Sequence, residues 1–334
     1  MIKAAVLRKA KKISIETFEI PKKLRNDQVL VKIRYAGICG SQVMEYLGKR
    51  GKDKYLPHSF GHEASGIVVN TGVNVKKIKK NDSVILSWIK GHGKDLGGFS
   101  LKNKKGQKIN FGPISTLATH AIVSENRVFK KPKKMTDLEA SLYGCAIPTG
   151  VGMVLNQIKK IKKNSKICLI GAGGVGMASL LALKKKSIKI FLIEKNNFKI
   201  SSLKKFKINF IKLSKIKKYY DKFDYCIDAS GNSKMIEHGF KLINSSGELI
   251  FASHPEHSKK ISIDPHDLIK GKRILGSWGG GCELDYDINK IFKFFDNKNI
   301  FSSKAKISFF NINNLDNAFK AIISGKTNRV IVKF

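Results

Sequence analysis

The stretch KICLIGAGGVGMASLLALKKKSIKIFLIE, residues 166–194, decides the fold of this chain. It has an apolar strand, a glycine-rich turn, a helical run and a second apolar strand, an order typical of a parallel, doubly wound α/β sheet. Gly171, Gly173 and Gly176 stand in G-x-G-x-x-G spacing directly after the first strand. A tight bend, a close backbone approach and a helix N-terminus at such a turn together bind a pyrophosphate.

This context favours a dinucleotide site over a glycine-rich packing turn. We predict that Gly171, Gly173, Gly174, Val175 and Gly176 line the site. Glu194 closes the second strand, where an acidic residue binds the ribose hydroxyls of a dinucleotide. Because a carboxylate there repels a 2′-phosphate, Glu194 favours NAD over NADP, although the neighbouring Lys195 weakens that preference.

The residues before this stretch have a different pattern. Short β-type runs separated by turn signals are typical of an antiparallel, barrel-like domain. The runs occupy residues 13–20, 29–38, 64–69 and 82–89. Apolar runs at 223–228 and 248–253 continue the parallel sheet. We therefore predict a barrel-like domain over residues 1–146, followed by a dinucleotide-binding domain with a parallel sheet.

The charge of the chain raises the question of nucleic acid. Its 64 Lys and Arg residues against 25 Asp and Glu give a formal net charge of +39. The excess is mostly lysine, in runs such as KKIKK at 76–80 and 159–163, whereas proteins that read nucleic acid favour the arginine fork. We interpret the runs as solvated lysine faces and expect no specific nucleic-acid partner. A non-enzymatic nucleic-acid-binding protein is the least favoured alternative.

Membrane and export signals are weak in this sequence. The basic N-terminal segment lacks the apolar stretch of a secretory signal. Residues 167–183 carry no charge, but this run is shorter than a membrane span and contains the glycine motif. The five cysteines are widely spaced, which favours reduced thiols or metal ligands over a disulfide framework. We expect a cytoplasmic protein without a membrane partner.

Three possible metal ligands lie far apart in the sequence, so their spacing alone predicts no metal site. They are Cys39 in GICGS, His62 in FGHEASG and Cys145 in YGCAIPTG. However, GICGS, GHE, GC-x-x-x-TG and GAGGVG follow one another in this order, and the chain closes with GKTNRVIVKF. In this combination the chain resembles the zinc-dependent medium-chain alcohol dehydrogenases over nearly its whole length. The resemblance implies a GroES-like β-barrel catalytic domain of residues 1–146 and 274–334. A Rossmann NAD-binding domain at 147–273 would lie between these two parts of the sequence.

The resemblance also implies the site residues. Cys39, His62 and Cys145 would bind one catalytic zinc ion and leave a fourth position for water or substrate. Ser41 would relay the proton of the alcohol, with helix capping as its alternative role. Glu63 would be the carboxylate that tunes the zinc site.

Three further residues are assigned to the cofactor by the same resemblance. Arg329 would meet both Glu63 and the cofactor phosphates. Thr149 would contact the nicotinamide side, and Lys199 would lie near the adenosine ribose. Each of these residues has an ordinary structural role as its alternative.

The sequence departs from the family pattern at several positions. Residues 63–144 contain no cysteine, so we expect no cysteine-based structural zinc, and residues 87–115 are interpreted as a shortened surface loop. Gln42 and Met44 stand where the family places an Asp and, in some members, a relay His. The outer end of the proton path is therefore open, with Glu45, His58 and bulk water as alternatives. Cys282 has no assigned role.

We expect a zinc-dependent NAD(H) alcohol dehydrogenase that transfers hydride between a small alcohol or carbonyl substrate and nicotinamide. Family analogy suggests a homodimer or homotetramer. One alternative is a sugar or polyol dehydrogenase of the same family. Another is a zinc-free enoyl or quinone reductase, for which the match at the three metal ligands would be accidental.

Overall fold

The chain divides into two compact units. The computed structural model describes residues 1–186 and 188–334. The first unit comprises Met1–Cys145 and Glu283–Phe334, and the second comprises Ala146–Cys282. The sequence analysis ended the NAD-binding domain at residue 273, whereas the second unit continues to Cys282 because the next strand belongs to its sheet.

The described residues form strands β1 (Ile2–Lys9), β2 (Lys12–Phe18), β3 (Gln28–Ile38), β4 (His58–Ser59), β5 (Glu63–Thr71), β6 (Ser83–Ser87), β7 (Phe99–Lys102), β8 (Lys108–Gly112), β9 (His120–Ser124), β10 (Val128–Lys130), β11 (Lys166–Ile170), β12 (Lys189–Ile193), β13 (Asn209–Phe210), β14 (Phe223–Asp228), β15 (Ile243–Phe251), β16 (Arg273–Gly276), β17 (Ile307–Asn311) and β18 (Arg329–Lys333).

Their α-helices are α1 (Gly40–Tyr46), α2 (Asp137–Leu142), α3 (Ala146–Gly152), α4 (Gly174–Lys184), α5 (Asn197–Leu203), α6 (Ser233–Leu242), α7 (Pro265–Ile269), α8 (Leu284–Phe294), α9 (Ile300–Lys304) and α10 (Leu315–Ile323). Within the described part of the chain, none of these helices has both the length and the apolar composition needed to cross a membrane.

The first unit contains two sheets. One has the order β2-β1-β4-β8-β7, and the other has the order β10-β6-β5-β3-β18-β17, with β9 also paired to β3. Most strand pairs are antiparallel, whereas β4–β8 and β17–β18 are parallel. The β-branched side chains of β3, β5 and β18 pack into a common core, as their enrichment in strands predicts.

An aromatic stack fixes α1 in the first unit. The rings of Tyr46, at the end of α1, and Phe319, in α10, are stacked with their centroids 4.4 Å apart. The ring of Phe60 stacks on Phe319 at 5.8 Å. Phe319 therefore holds the helix that follows Cys39 against the segment that leads to His62.

The predicted surface loop at 87–115 contains a hairpin. Strands β7 and β8 pair in antiparallel fashion, and β8 also pairs with β4. Ile109 and Phe111 are buried on one face of β8, in the same core as Phe18 and Leu101. The many glycines and lysines around this short alternation obscured it in the sequence.

The second unit is a parallel sheet with the strand order β13-β12-β11-β14-β15-β16. This is the order of a doubly wound dinucleotide-binding sheet. The chain adds β12 and β13 on one side of β11, and then β14, β15 and β16 on the other side. Ligands bind beside the carboxyl ends of the strands at this reversal. The glycine-rich turn of residues 171–176 follows β11 at that place.

Candidate active site

Cys39, His62 and Cys145 converge in the first unit. Their ligand atoms all lie within 4.8 Å of one another, so the three side chains can hold one metal ion. The two sulfur atoms are 3.8 Å apart. With zinc–sulfur bonds of about 2.3 Å, two thiolates of a tetrahedral zinc site stand about 3.8 Å apart. His62 Nε2 is buried and has no hydrogen-bond partner in the described protein. This donor set fits zinc.

Each of these residues is positioned by its backbone. Cys39 lies between β3 and α1, and its N–H donates to Gln42 Oε1 at 2.8 Å. The His62 carbonyl accepts from the Trp88 N–H at 3.1 Å. Cys145 follows Gly144, whose carbonyl accepts from Ser87 Oγ at 2.6 Å. A Cβ on Gly144 would overlap the Leu86 carbonyl oxygen, so only glycine fits here.

The ionisation of the three side chains is strongly coupled. A hydrogen bond from the Cys145 thiol holds the pKa of Cys39 well below its usual value and raises that of Cys145. Burial lowers the pKa of His62, but the close contact with Cys39 and the negative charges of Cys39, Glu63 and Glu45 together raise it above its usual value. A bound cation would need the ligand protons to leave.

Trp88 is a site residue that the sequence analysis missed. Its side chain faces Cys145 and opposes the rise in the pKa of that thiol. The motif carries no signal for it, because Trp88 follows β6 and reaches Cys145 only through the folding of the sheet.

Ser41 lies beside the metal ligands. Its Oγ is 3.5 Å from Cys39 Sγ. Ser41 is in the first turn of α1, and its side chain is partly buried. The hydroxyl is therefore within reach of a molecule bound next to Cys39.

Glu63 and Arg329 form a buried ion pair next to the metal ligands. Glu63 begins β5 and is 0% exposed, and Arg329 begins β18 and is 2% exposed. Burial raises the pKa of Glu63, although the Arg329 charge opposes this. A Cβ on Gly37 would lie 2.6 Å from Glu63 Oε1 and 2.8 Å from Arg329 Nη2. The glycine of β3 thus makes room for the pair.

Gly171, Gly173 and Gly176 in the glycine-rich turn of the second unit each have a different structural role. Gly171 has a φ of +85°, which a side chain rarely allows. A Cβ on Gly176 would overlap the Gly171 carbonyl oxygen. A Cβ on Gly173 would meet no described atom within 4 Å, so open space lies in front of this residue. A ligand can therefore approach the backbone where α4 begins with Gly174 and Val175.

Glu194 lies next to the glycine-rich turn. Its Oε2 accepts from the Ala172 N–H at 2.8 Å. Its Oε1 accepts from the Lys195 and Asn196 N–H groups at 2.8 Å and 2.9 Å. A carboxylate oxygen has capacity for further hydrogen bonds, so Glu194 can still bind hydroxyls of a ligand. Lys199 lies in the first turn of α5, where Asn196 Oδ1 accepts its backbone N–H at 3.1 Å.

Thr149 is buried in α3, which packs on α4 in the second unit. A Cβ on Gly150 would overlap the Val175 carbonyl oxygen, and Ser179 Oγ donates to the Gly150 carbonyl at 2.9 Å. Cys282, unexplained in the sequence, packs on the same helix: its Sγ is 3.3 Å from the Pro148 carbonyl oxygen. Its position gives it a packing role.

The sequence-predicted site residues thus form two groups. The first unit brings together Cys39, Ser41, His62, Glu63, Cys145 and Arg329. The second unit holds Thr149, Gly171, Gly173, Gly174, Val175, Gly176, Glu194 and Lys199.

Asp228 is a second residue that the sequence analysis missed. It ends β14 and is 0% exposed. Ser230 Oγ donates to its Oδ2 at 2.9 Å, and the Ala229 N–H that follows donates to the Ile170 carbonyl beside the glycine-rich turn. Burial raises the pKa of Asp228 to about 6. The sequence could have indicated Asp228, because it is an acidic residue at the C-terminal end of a predicted buried strand.

We predict that Arg329→Met lowers the free energy of unfolding by about 3–5 kcal/mol, because the Glu63 charge is left buried and unpaired. The double variant Arg329→Met/Glu63→Gln should recover part of this loss. Chemical denaturation of the three proteins measures it. Equal stability of the single and double variants would contradict the role of the unpaired charge.

We predict that Asp228→Asn changes how stability depends on pH. Since the folded-state pKa is raised to about 6, the fold favours the neutral carboxyl. The stability that Asp228 contributes is therefore complete below about pH 4 and lost as the pH rises through 6. Relative to Asp228→Asn, the wild type should lose about 2 kcal/mol between pH 4 and 7 in chemical denaturation. A constant difference across this range would contradict the assignment.

Comparison with known proteins agrees with this architecture. Residues 25–133 match the family model of the alcohol dehydrogenase GroES-like domain. Residues 174–297 match the family model of the zinc-binding dehydrogenases. The fold is therefore a GroES-like β-barrel domain together with a Rossmann-like parallel-sheet domain.

Individual relatives are similar over most of the chain. Alcohol dehydrogenase class-3 of Drosophila melanogaster is 27% identical over an alignment of 374 positions, gaps included. This alignment covers 99% of this chain and 97% of the relative. S-(hydroxymethyl)glutathione dehydrogenase of Komagataella pastoris is 27% identical over 320 residues, 84% of each chain. Benzyl alcohol dehydrogenase from Acinetobacter calcoaceticus has the same fold, with a TM-score of 0.84, 24% identity and coverage of 100% of this chain and 99% of that one. Since the two family models together match more than half of the sequence, the chain belongs to the alcohol dehydrogenase-like medium-chain dehydrogenase/reductase superfamily of oxidoreductases.

Proposed function

We propose that this protein is a zinc-dependent alcohol dehydrogenase that transfers hydride between an alcohol, or its carbonyl, and NAD(H). The convergence of Cys39, His62 and Cys145, with two sulfur atoms 3.8 Å apart, carries the proposal. A zinc-free reductase of the same superfamily would give no reason for these three metal-ligating side chains to converge.

One zinc ion per chain would be held by Cys39, His62 and Cys145. When bound, zinc acts as a Lewis acid that favours deprotonation of an alcohol hydroxyl or polarises a carbonyl. The other cysteines are Cys168, Cys226 and Cys282, all in the second unit, so we propose no cysteine-based structural zinc.

The protein's own residues would handle the proton and the charge. Ser41, 3.5 Å from Cys39 Sγ, would accept the proton of the substrate hydroxyl. The Arg329 guanidinium would offset the negative charge of Glu63 and Cys39, both of which act on it electrostatically. Arg329 Nε, buried and without a hydrogen-bond partner in the described chain, would be a donor for an anionic ligand such as a cofactor phosphate.

The second unit would hold NAD. The backbone N–H groups at the start of α4 would bind the pyrophosphate, since the helix N-terminus favours negative charge and Gly173 leaves room for it. Glu194 would accept hydrogen bonds from ribose hydroxyls and disfavour a 2′-phosphate. Thr149 would contact the nicotinamide, and Lys199 would lie near the adenosine ribose.

The substrate is proposed only as a class, a primary or secondary alcohol or the matching carbonyl compound. The names of the relatives include benzyl alcohol and S-(hydroxymethyl)glutathione, which are chemically very different. A panel of these two compounds, aliphatic alcohols and a polyol such as sorbitol separates the simple alcohol dehydrogenase from the polyol dehydrogenase.

We predict that the wild type contains about one zinc ion per chain by elemental analysis and that Cys145→Ala loses it. One of three protein ligands is then missing, so metal affinity and alcohol oxidation should both fall at least about 100-fold. NADH binding, followed by fluorescence, should persist in the variant.

Cys168→Ala is the matched control for this experiment, because it removes a buried thiol outside the metal group. It should retain both zinc and activity. A freshly purified wild type that binds NADH but contains no zinc would refute the proposed mechanism and favour the zinc-free reductase.

We predict that the wild type binds NADH more tightly than NADPH and that Glu194→Gln reduces this preference. Loss of a charged acceptor weakens NADH binding by about tenfold or more, since hydrogen bonds to charged groups contribute about 1.5–3 kcal/mol. Fluorescence titration with both cofactors measures the change. The neighbouring Lys195→Ala should leave NADH affinity unchanged, and an unaltered preference in Glu194→Gln would contradict the role of Glu194.

A further inference from the structure

A second group of ionisable side chains lies in the first unit, close to the metal ligands. Glu45, Asp53 and His58 bring their side-chain oxygen and nitrogen atoms within 4.8 Å of one another. The catalytic roles proposed above make no use of this group. Glu45 and Ser41 stand one turn apart on α1, and residues at i and i+4 of a helix are neighbours on one face.

The hydrogen bonds of His58 show where a proton is shared. Its Nδ1 is 3.0 Å from the Ser59 carbonyl oxygen, which can only accept, so Nδ1 carries a hydrogen. Its Nε2 is 2.8 Å from Asp53 Oδ2 and 3.7 Å from Glu45 Oε1. A short contact between a ring nitrogen and a carboxylate oxygen requires a hydrogen between them. This geometry suits a proton shared between His58 Nε2 and Asp53 Oδ2.

His58 is the most buried of the three side chains, and Asp53 is the most exposed. The His58 side chain is 8% exposed, that of Glu45 23% and that of Asp53 28%. Asp53 therefore meets solvent, while Glu45 interacts electrostatically with the metal-ligand candidate His62. The charged groups that face Glu45 are His58, Arg50, His62 and Asp53. Burial is the main influence on Glu45 and raises its pKa, which makes this carboxylate a better proton acceptor than an exposed one.

The residues next to Ser41 cannot carry a proton outward. Met44 has only a thioether, and Gln42 is 0% exposed with its Oε1 engaged by the Cys39 N–H. Glu45 is thus the ionisable side chain of α1 that is placed to take a proton from Ser41.

We propose that Glu45, His58 and Asp53 form the outer half of the proton path, connecting Ser41 to solvent. The inference rests on the proposed alcohol dehydrogenase function. During alcohol oxidation Ser41 Oγ accepts the hydroxyl proton and gives its own to the Glu45 carboxylate. Asp53 releases the shared proton to water, and His58 Nε2 then accepts the proton from Glu45. One proton enters and one leaves, so the charge of the group is restored. Carbonyl reduction runs the same transfers in reverse.

The experiment compares Glu45→Gln, His58→Gln and Asp53→Asn with the wild type. We expect kcat for alcohol oxidation to fall about 100-fold in Glu45→Gln, the lower end of the range for positioned acid–base groups. KM, zinc content and NADH affinity should change little. Small buffers such as imidazole or formate should restore kcat in proportion to their concentration, because a diffusing base replaces the missing one.

Glu16→Gln is the matched control, because Glu16 is a partly buried carboxylate that binds Arg8 elsewhere in the same unit. It should keep the wild-type kcat and respond to no buffer. A wild-type kcat in Glu45→Gln, or a loss that buffers fail to restore in both Glu45→Gln and His58→Gln, would overturn the proposal.

A second readout does not depend on activity. In ¹⁵N-labelled, zinc-free protein, NMR should detect hydrogens on both ring nitrogens of His58 or a hydrogen shared between Nε2 and Asp53. The Nε2 signal should change in Asp53→Asn. A His58 ring with an unshared, unprotonated Nε2 would overturn the proposal even if the enzyme is active. If instead the wild type binds zinc and NADH but oxidises no alcohol, the proposed function fails, and the NMR result still decides whether the shared proton exists.

Discussion

The buried ion pair of Glu63 and Arg329 is the interaction on which the first unit depends. It joins β5, which begins next to His62, to β18 at the other end of the chain. Both partners are almost fully buried, so either charge alone would be costly. The glycine at position 37 is required because a side chain there would displace the pair. The C-terminal strand is thereby tied to the metal-ligand candidates.

The same pair sets the electrostatics around the metal ligands. Cys39 acts on both Glu63 and Arg329, raising the pKa of each. If both cysteines ionise to bind a metal, two thiolates and the Glu63 carboxylate need compensating positive charge, which Arg329 would supply in part and the bound cation would complete. Packing fixes the positions of the same ligands. The aromatic stack on Phe319 holds the segments next to Cys39 and His62, and the close approach at Gly144 fixes the segment that leads to Cys145.

The second unit depends on a local arrangement of backbone. Gly171 provides the bend, Gly176 allows the helix to approach the strand, and Gly173 leaves its front open. Glu194 reinforces the turn by accepting the Ala172 N–H. The Glu194 carboxylate and the backbone of residues 171–176 thus stabilise the turn and are also suited to bind a dinucleotide.

The sequence by itself determined the features that lie close together along the chain. The glycine-rich turn with its flanking strands β11 and β12, and the acidic residue Glu194, form within one segment, so spacing and hydropathy were enough to predict them. Strand β16 and the hairpin of β7 and β8 escaped prediction, because short strands between glycines and lysines have weak periodicity.

Only the tertiary structure decided which distant residues meet. Cys39 and Cys145 are 106 positions apart, and Glu63 and Arg329 are 266 apart. Spacing over such lengths carries no distance information, so these residues could be named from the sequence only through the resemblance to a family. Trp88 had no such help. Its position beside Cys145 follows from the packing of the sheet, which depends on the whole core at once.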